Sequence, residues 1–256
     1  MSTLGSALSV DVEQILKYRT LFPKWSLAKR WGLLCFGGDL SPERLLAAYS
    51  LGIFPWYNEG DPIYWWFTNP RAILRPEDFH LPKRSLRTLK HTGFRLTMDQ
   101  AFAEVVRGCA APREDTAETW ITEDMFEAYT ELHRLGYAHS IETWLDDELV
   151  GGLYGLGIAQ AFFGESMFHL KSEASRLALY GLIQILEARG IKLLDCQQET
   201  PHMVRMGSTN VPGKSFQQML QAAGLGSKPK HPECWQPWGV VYEFSDCSSS
   251  WRLKSK

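Results

Sequence analysis

The run SEASRLALYGLIQILEARGIKLLDCQ, residues 172–197, decides how the chain is built. From Ser172 to Arg189 its middle carries Leu177, Leu179, Tyr180, Leu182, Ile183, Ile185 and Leu186. These are apolar almost all the way round a helix, as expected for one buried on more than one side. Gly190 closes the helix, and Ile191 to Gln197 reads as a strand.

Downstream, Ser215 with Gln218 three residues on has the form of a capping box, predicting a last helix to Ala223. After Gly224 the chain reads as loop, and the Ser/Lys-rich end from Ser245 as disordered. Upstream, Ser140 to Leu145, Leu149 to Leu156 and Ala159 to Glu165 are strand-like, with Asp146-Asp147 as a hairpin turn. Before them, Thr122 opens a helix with Met125, Phe126, Tyr129 and Leu132 that ends at Gly136. Thr97 or Asp99 opens another with Phe102, Val105, Val106 and Cys109. This pattern, ending on helix, strand and helix, predicts an α/β layer fold.

Residues Leu21 to Pro70 differ in character. Short elements flank one helix with Ser41 as N-cap, Pro42 at its first position, an apolar stripe of Leu45, Leu46 and Tyr49, and Gly52 at its end. A soft boundary between Asp61 and Arg71 divides a small N-terminal unit, 1–66, from a larger one, 67–244, with 245–256 as tail.

Formal net charge is −2 over 256 residues, so contact with a polyanion must come from a local basic cluster. The cysteines Cys35, Cys109, Cys196, Cys234 and Cys247 include no C-x-x-C pair, which argues against a structural zinc site or a disulfide framework and fits a reducing cytoplasm. Met1 to Glu13 lacks the form of a secretory leader, and no stretch reaches the roughly 18 apolar residues of a membrane span. Phosphate-binding glycine loops, H-E-x-x-H and G-x-S-x-G are absent, which disfavours ATP-driven chemistry and serine hydrolysis.

Four segments carry candidate chemistry. In Leu193-Leu194-Asp195-Cys196-Gln197, alternation puts Asp195 and Gln197 on one face and Cys196 on the other. A carboxylate there is either used or caps the next loop, while Cys196 reads as a packed small residue. In Phe162-Phe163-Gly164-Glu165-Ser166-Met167-Phe168 the glutamate either pairs with a cation or holds a raised pKa. Gly52-Ile53-Phe54-Pro55-Trp56-Tyr57, Trp65-Trp66 and Trp120 display aromatic rings that can stack on nucleobases or simply pack the two units together. In Lys83-Arg84-Ser85-Leu86-Arg87-Thr88-Leu89-Lys90-His91, the basic residues fall within about a third of a helix circumference, a face that grips phosphates or is merely solvated.

Together these segments resemble the leucyl/phenylalanyl-tRNA–protein transferase family. The resemblance rests on Gly37-Gly38-Asp39-Leu40-Ser41-Pro42-Glu43-Arg44-Leu45-Leu46-Ala47-Ala48-Tyr49, Gly52-Ile53-Phe54-Pro55-Trp56, Asn69-Pro70-Arg71, Thr119-Trp120-Ile121-Thr122, Ala138-His139-Ser140-Ile141-Glu142, Leu149 to Gly155, Phe163 to Phe168 and Asp195-Cys196-Gln197. It runs in order from about Phe22 to Gly224. Phe67-Thr68 stands where the family usually has Ser-Pro, and Glu173-Ala174-Ser175-Arg176 replaces Asn-Ala-Ser-Lys.

The resemblance implies an α+β N-terminal unit followed by an acyltransferase-like mixed sheet flanked by helices. It implies transfer of leucine or phenylalanine, and weakly methionine, from aminoacyl-tRNA to proteins beginning with Arg or Lys, marking them for N-end-rule degradation, with no cofactor, metal or membrane involved. By the same resemblance Asp195 and Gln197 are the catalytic pair, Asp195 orienting and polarising the Gln197 amide, and Glu165 with Ser166 joins them in the polar centre. Trp56 stacks on the terminal adenosine; Trp120, Leu153, Phe162, Leu182 and Leu186 surround the aminoacyl group and the adenosine. The basic run makes Lys83, Arg84, Arg87 and Lys90 the candidate contacts to the tRNA backbone. Two rivals remain open: an aminoacyl-tRNA-dependent transferase acting on N-terminal Asp/Glu or a cell-wall peptide, and a non-catalytic tRNA-binding module.

Overall fold

In the computed structural model, residues 10–85, 87, 93–112 and 119–226 are described. Lys90, Cys234, Cys247 and the predicted tail lie outside them.

The chain begins with helix α1 (Val12–Leu21), capped by Asp11, whose carboxylate accepts from the Glu13 and Gln14 amides at 2.9 and 3.1 Å. Strands β1 (Leu33–Phe36), β2 (Phe54–Pro55) and β3 (Tyr64–Trp66) form a three-stranded antiparallel sheet in the order β1-β3-β2, with helix α2 (Pro42–Ser50) between β1 and β2. Pro42 opens α2 as predicted, but Ser41 does not cap it with its side chain. The Ser41 hydroxyl turns back to Asp39. Gly52 has φ +77, and a Cβ there would lie 2.6 Å from the Phe216 ring, so the end of α2 is closed by a residue that has to be glycine.

From Arg71 onward the strands belong to a second sheet. β4 (Arg71–Leu74), β5 (Arg95–Met98), β6 (Ala138–Leu145), β7 (Glu148–Ile158), β8 (Ala161–His169), β9 (Leu193–Gln197) and β10 (Thr209–Val211) are ordered β10-β4-β9-β8-β7-β6-β5. Every neighbouring pair is antiparallel except β8 and β9. A parallel pair needs a crossover, and helix α5 (Ala174–Ala188) supplies it. The chain is therefore a mixed α/β fold.

Hydrophobic side chains divide about this sheet. On one face Leu74, Leu96, Ile141, Leu153, Phe162 and Leu194 pack under α5, where Leu177, Leu182 and Leu186 are each at most 1% exposed. On the other, Tyr154, Phe163 and Leu193 join α2, the small sheet, α3 (Phe102–Ala110), α4 (Glu123–Arg134) and α7 (Gly213–Ala222) in one continuous core. Successive residues such as Phe162 and Phe163 thus serve opposite faces, as strand alternation requires.

Several sequence expectations hold locally. Asp146 and Asp147 take φ +50 and +63 in the β6–β7 turn, and the Thr122 hydroxyl caps α4 by accepting from Met125 N at 3.3 Å. Two caps were misplaced. Thr97 lies in β5, and Asp99, at φ +59, accepts from Ser140 N at 2.9 Å and meets His139 Nδ1 at 2.7 Å. The start of α3 is served by Glu142 of β6, which accepts from Ala101 N at 3.4 Å. Likewise α7 begins at Gly213 after Pro212, so Ser215 sits inside its first turn and no capping box forms. Helix α1 and strands β4, β5 and β10 had no counterpart in the sequence reading.

Gly155 shows how tightly the β7–β8 pair is set: a Cβ there would lie 2.2 Å from the Phe163 carbonyl oxygen and 2.5 Å from the Phe162 ring. Gly155→Ala is expected to destabilise the fold by about 2–3 kcal/mol through overpacking, read as a lowered urea midpoint with an unchanged slope. Wild-type stability in that variant refutes the tight register.

Candidate active site

The site begins at the one parallel junction. β8 and β9 pair at Ala161–Leu193, Phe162–Leu194 and Phe163–Asp195, and there the pairing stops although both strands continue. Past this point, Glu165 and Gln197 face the core shared with α2 and α4, while Met167 and Cys196 pack against the α5 side. Gln197 ends β9 in the left-handed region, at φ +53.

Asp195 and Arg71 form a bidentate pair across β9 and β4. Arg71 Nε donates to Oδ1 at 2.7 Å and Nη2 to Oδ2 at 2.5 Å, and both side chains have no solvent exposure. The guanidinium carbon lies 4.5, 5.1 and 5.6 Å from the Phe216, Phe54 and Phe67 ring centroids. Arg71 Nη1 also donates to the Thr68 hydroxyl at 3.3 Å, and that hydroxyl donates to the Gln197 carbonyl at 2.7 Å. Asp195 Oδ1 accepts a further bond, from the Gln197 backbone N–H at 3.0 Å.

This corrects the expected pairing. Asp195 does not orient the Gln197 amide; it holds the Gln197 backbone, and its negative charge is met by Arg71. The Gln197 side chain turns instead to Glu165, with Nε2 at 3.5 Å from Oε1. Glu165 lies within hydrogen-bond reach of the hydroxyls of Tyr49 of α2, at 2.7 Å, and Tyr129 of α4, at 3.1 Å; the two hydroxyls also meet each other, and when both donate to the ionised carboxylate neither proton is left for that contact. Burial pushes the Glu165 carboxyl up to about 8, with the Asp195 charge adding to the rise; the two tyrosine hydrogen bonds and Arg71 oppose it. Of the two options for Glu165, the structure favours the raised pKa, since no cation among the described residues forms an ion pair with it. Burial also pushes the Cys196 thiol well up, as befits a packed small residue.

The remaining predicted residues fall in three places. Leu153, Phe162, Leu182 and Leu186, at most 3% exposed, are gathered under α5, across the sheet from Glu165. Ser166 is partly exposed beside Glu165 and pairs with Tyr154 of β7. Trp56 is 38% exposed on the small sheet, its ring 5.3 Å from that of Trp66, which donates to the Trp56 carbonyl at 2.6 Å. Trp120 is half-buried against the core shared with α2, α4 and the small sheet. Lys83, Arg84 and Arg87 are exposed and helical, while Ser85 among them is buried and bonds to Glu173. Sequence reasoning missed Arg71, Thr68, Tyr49 and Tyr129 as parts of the site. Only Arg71 left a trace, as a lone cation heading the apolar run Ala72-Ile73-Leu74.

A buried guanidinium or carboxylate without its partner costs several kcal/mol. Asp195→Asn, though isosteric, is therefore expected to destabilise the fold by about 3–5 kcal/mol, and Arg71→Met similarly. The Arg71→Met/Asp195→Leu double variant should lose much less than the sum of its single variants in chemical denaturation. Additive losses contradict the pairing.

The family profile described as leucyl/phenylalanyl-tRNA protein transferase matches residues 73–221, and the profile for its N-terminal domain matches residues 38–69. A leucyl/phenylalanyl-tRNA–protein transferase of Syntrophotalea carbinolica is 48% identical over 220 residues, spanning 86% of this chain and 94% of that protein. One from Desulfatibacillum aliphaticivorans is 50% identical over 200 residues, 78% of this chain and 86% of that protein. Among solved structures, the crystal structure of FemX overlaps 70% of each chain at 11% identity and a TM-score of 0.41, a likeness too loose to argue from. With both profiles matched in order and close relatives aligned along nearly their whole length, the chain belongs to the leucyl/phenylalanyl-tRNA–protein transferase family.

Proposed function

We propose that this protein transfers leucine or phenylalanine, and weakly methionine, from aminoacyl-tRNA to the α-amino group of proteins beginning with Arg or Lys, in the cytoplasm, as a mark for N-end-rule degradation. The observation that carries the reading is the meeting of Glu165 and Gln197 at the parting of β8 and β9, in a chain of this family.

An aminoacyl ester is already activated, so most of the rate can come from holding an amine against its carbonyl. The parting of the strands suits that task because it joins a polar face to an apolar one. The ester lies at the junction. Its Leu or Phe side chain is directed toward Leu153, Phe162, Leu182 and Leu186, and the acceptor amine approaches from the side of Glu165, Ser166 and Gln197. Gln197, its backbone held by Asp195 and Thr68, presents its amide to the reacting centre. Enclosed and bonded by Arg71, Asp195 takes no part in binding the acceptor's cationic side chain. Trp56 and Trp120 stack on or enclose the terminal adenosine, and Lys83, Arg84 and Arg87 contact tRNA phosphates.

Purified protein incubated with Leu-tRNA and an Arg-initiated peptide should add one leucine, seen by mass analysis. Transfer confined to Asp- or Glu-initiated or cell-wall peptides establishes the first rival, and tight binding of charged tRNA without transfer establishes the second. No helix among the described residues is long and apolar enough to cross a membrane.

Two variants test the substrate contacts. Trp56→Ala should raise the KM for aminoacyl-tRNA while shifting stability by no more than about 1 kcal/mol, because its ring is substantially exposed. Unfolding of the variant means the ring serves packing. Lys83→Glu with Arg84→Glu should weaken tRNA binding and flatten its dependence on salt, since fewer counterions are released. An unchanged salt slope makes the face a solvated one.

A further inference from the structure

Glu165 is the extra residue of a bulge. Tyr154 pairs with Ser166 and Gly155 with Gly164, so no residue of β7 stands opposite it. A bulge turns a side chain out of the regular alternation, and this one delivers the carboxyl to Tyr49, Tyr129 and Gln197, three neutral donors from three separate elements. Glu165 forms no ion pair among the described residues, the guanidinium of Arg71 being turned to Asp195.

We propose, on the footing of the aminoacyl transfer described above, that Glu165 is the catalytic residue that takes the proton from the attacking α-amine, its carboxylate held for that task by the Tyr49–Tyr129 hydroxyl pair. The neutral amine nitrogen forms its bond to the ester carbonyl carbon while one N–H proton passes to Glu165. The tetrahedral centre then collapses, the bond from that carbon to the ribose oxygen breaks, and the leaving oxygen takes the proton back from Glu165. A peptide bond and a free ribose hydroxyl result, and the enzyme ends in the state in which it began.

The alternatives are weaker on geometry. Asp195 already accepts three hydrogen bonds and has no exposure, and an amide such as Gln197 is a poor base. Glu165 is raised to about 8, so its carboxylate is a stronger base than an ordinary one and, once protonated, it can return the proton near neutral pH. The groups that set this value are Tyr49 on α2, Tyr129 on α4, Arg71 on β4 and Asp195 on β9. Tyr154 on β7 also faces the carboxylate, which adds to the rise in its own hydroxyl.

The test is the pH profile of kcat/KM with one Arg-initiated peptide. The acceptor amine contributes the same titration to every variant, so any difference in midpoint between variants belongs to the enzyme. Tyr49→Phe and Tyr129→Phe each remove a hydrogen bond that favours the carboxylate, and each should move the midpoint upward by about one pH unit. Glu165→Gln should slow single-turnover transfer by roughly 100-fold or more while binding charged tRNA within about twofold of wild type. Near-wild-type transfer by Glu165→Gln, or unmoved midpoints in both tyrosine variants, overturns the assignment, and the tyrosine variants decide it alone if Glu165→Gln does not fold. A wild-type protein that transfers nothing refutes the reaction itself, whereas transfer by wild type and Glu165→Gln alike refutes only the role of Glu165.

Discussion

The pairing of Arg71 with Asp195 is the constraint from which the site is built. Two charges without solvent exposure are expensive to bury and hold only when geometry and surrounding hydrogen bonds are nearly complete. Here both carboxylate oxygens are engaged, and the guanidinium lies near three aromatic rings, Phe54 from the small sheet, Phe67 from the connecting loop and Phe216 from α7. The pair therefore fixes more than β4 against β9. It sets the loop at Thr68, and through Thr68 and Asp195 it holds both the carbonyl and the N–H of Gln197. That double hold accounts for a glutamine at φ +53, a backbone region costly for a residue with a side chain. Phe67 and Thr68 both belong to this arrangement.

Topology supplies the opening that the pair borders. Three antiparallel pairs, β5–β6, β6–β7 and β7–β8, join strands that follow each other in sequence, but setting β9 beside β8 in parallel requires α5 to cross over one face. The two strands share only three paired positions before parting, and the bulge at Glu165 follows two residues after the last of them. The parting lets a polar face and an apolar face meet without a hole through the core.

What was legible in the sequence was local. The α5–β9 run, the Asp146-Asp147 turn, the Thr122 cap and the opening of α2 by Pro42 all depend on residues within a few positions of each other. The misread caps have two causes. Asp99, Thr97 and Ser215 stand near helix starts, yet the first two are claimed by partners on β6, and the last lies within a helix begun by Gly213. A side chain that can cap can also bond across a sheet, and only tertiary structure decides which. The site was half legible for the same reason: alternation put Asp195 and Cys196 on opposite faces, but the partner of Asp195 is 124 residues away and those of Glu165 are 116 and 36.

Two carboxylates side by side usually force one of them to keep its proton. In this site that residue is Glu165, raised to about 8. Asp195 is bound to Arg71 so closely that the two act on their surroundings as a nearly cancelled charge, and accordingly Asp195 raises Glu165 while Arg71 lowers it. What is left to set Glu165 is burial against two neutral hydroxyls, which holds it at about 8 rather than far above it. Replacing the tyrosines by a cation would lower the carboxyl and weaken it as a base; replacing them by apolar rings would keep it protonated. Hydroxyls, able to donate to the carboxylate without neutralising it, lie between these limits, and the Arg71–Asp195 pair is what allows their effect to dominate.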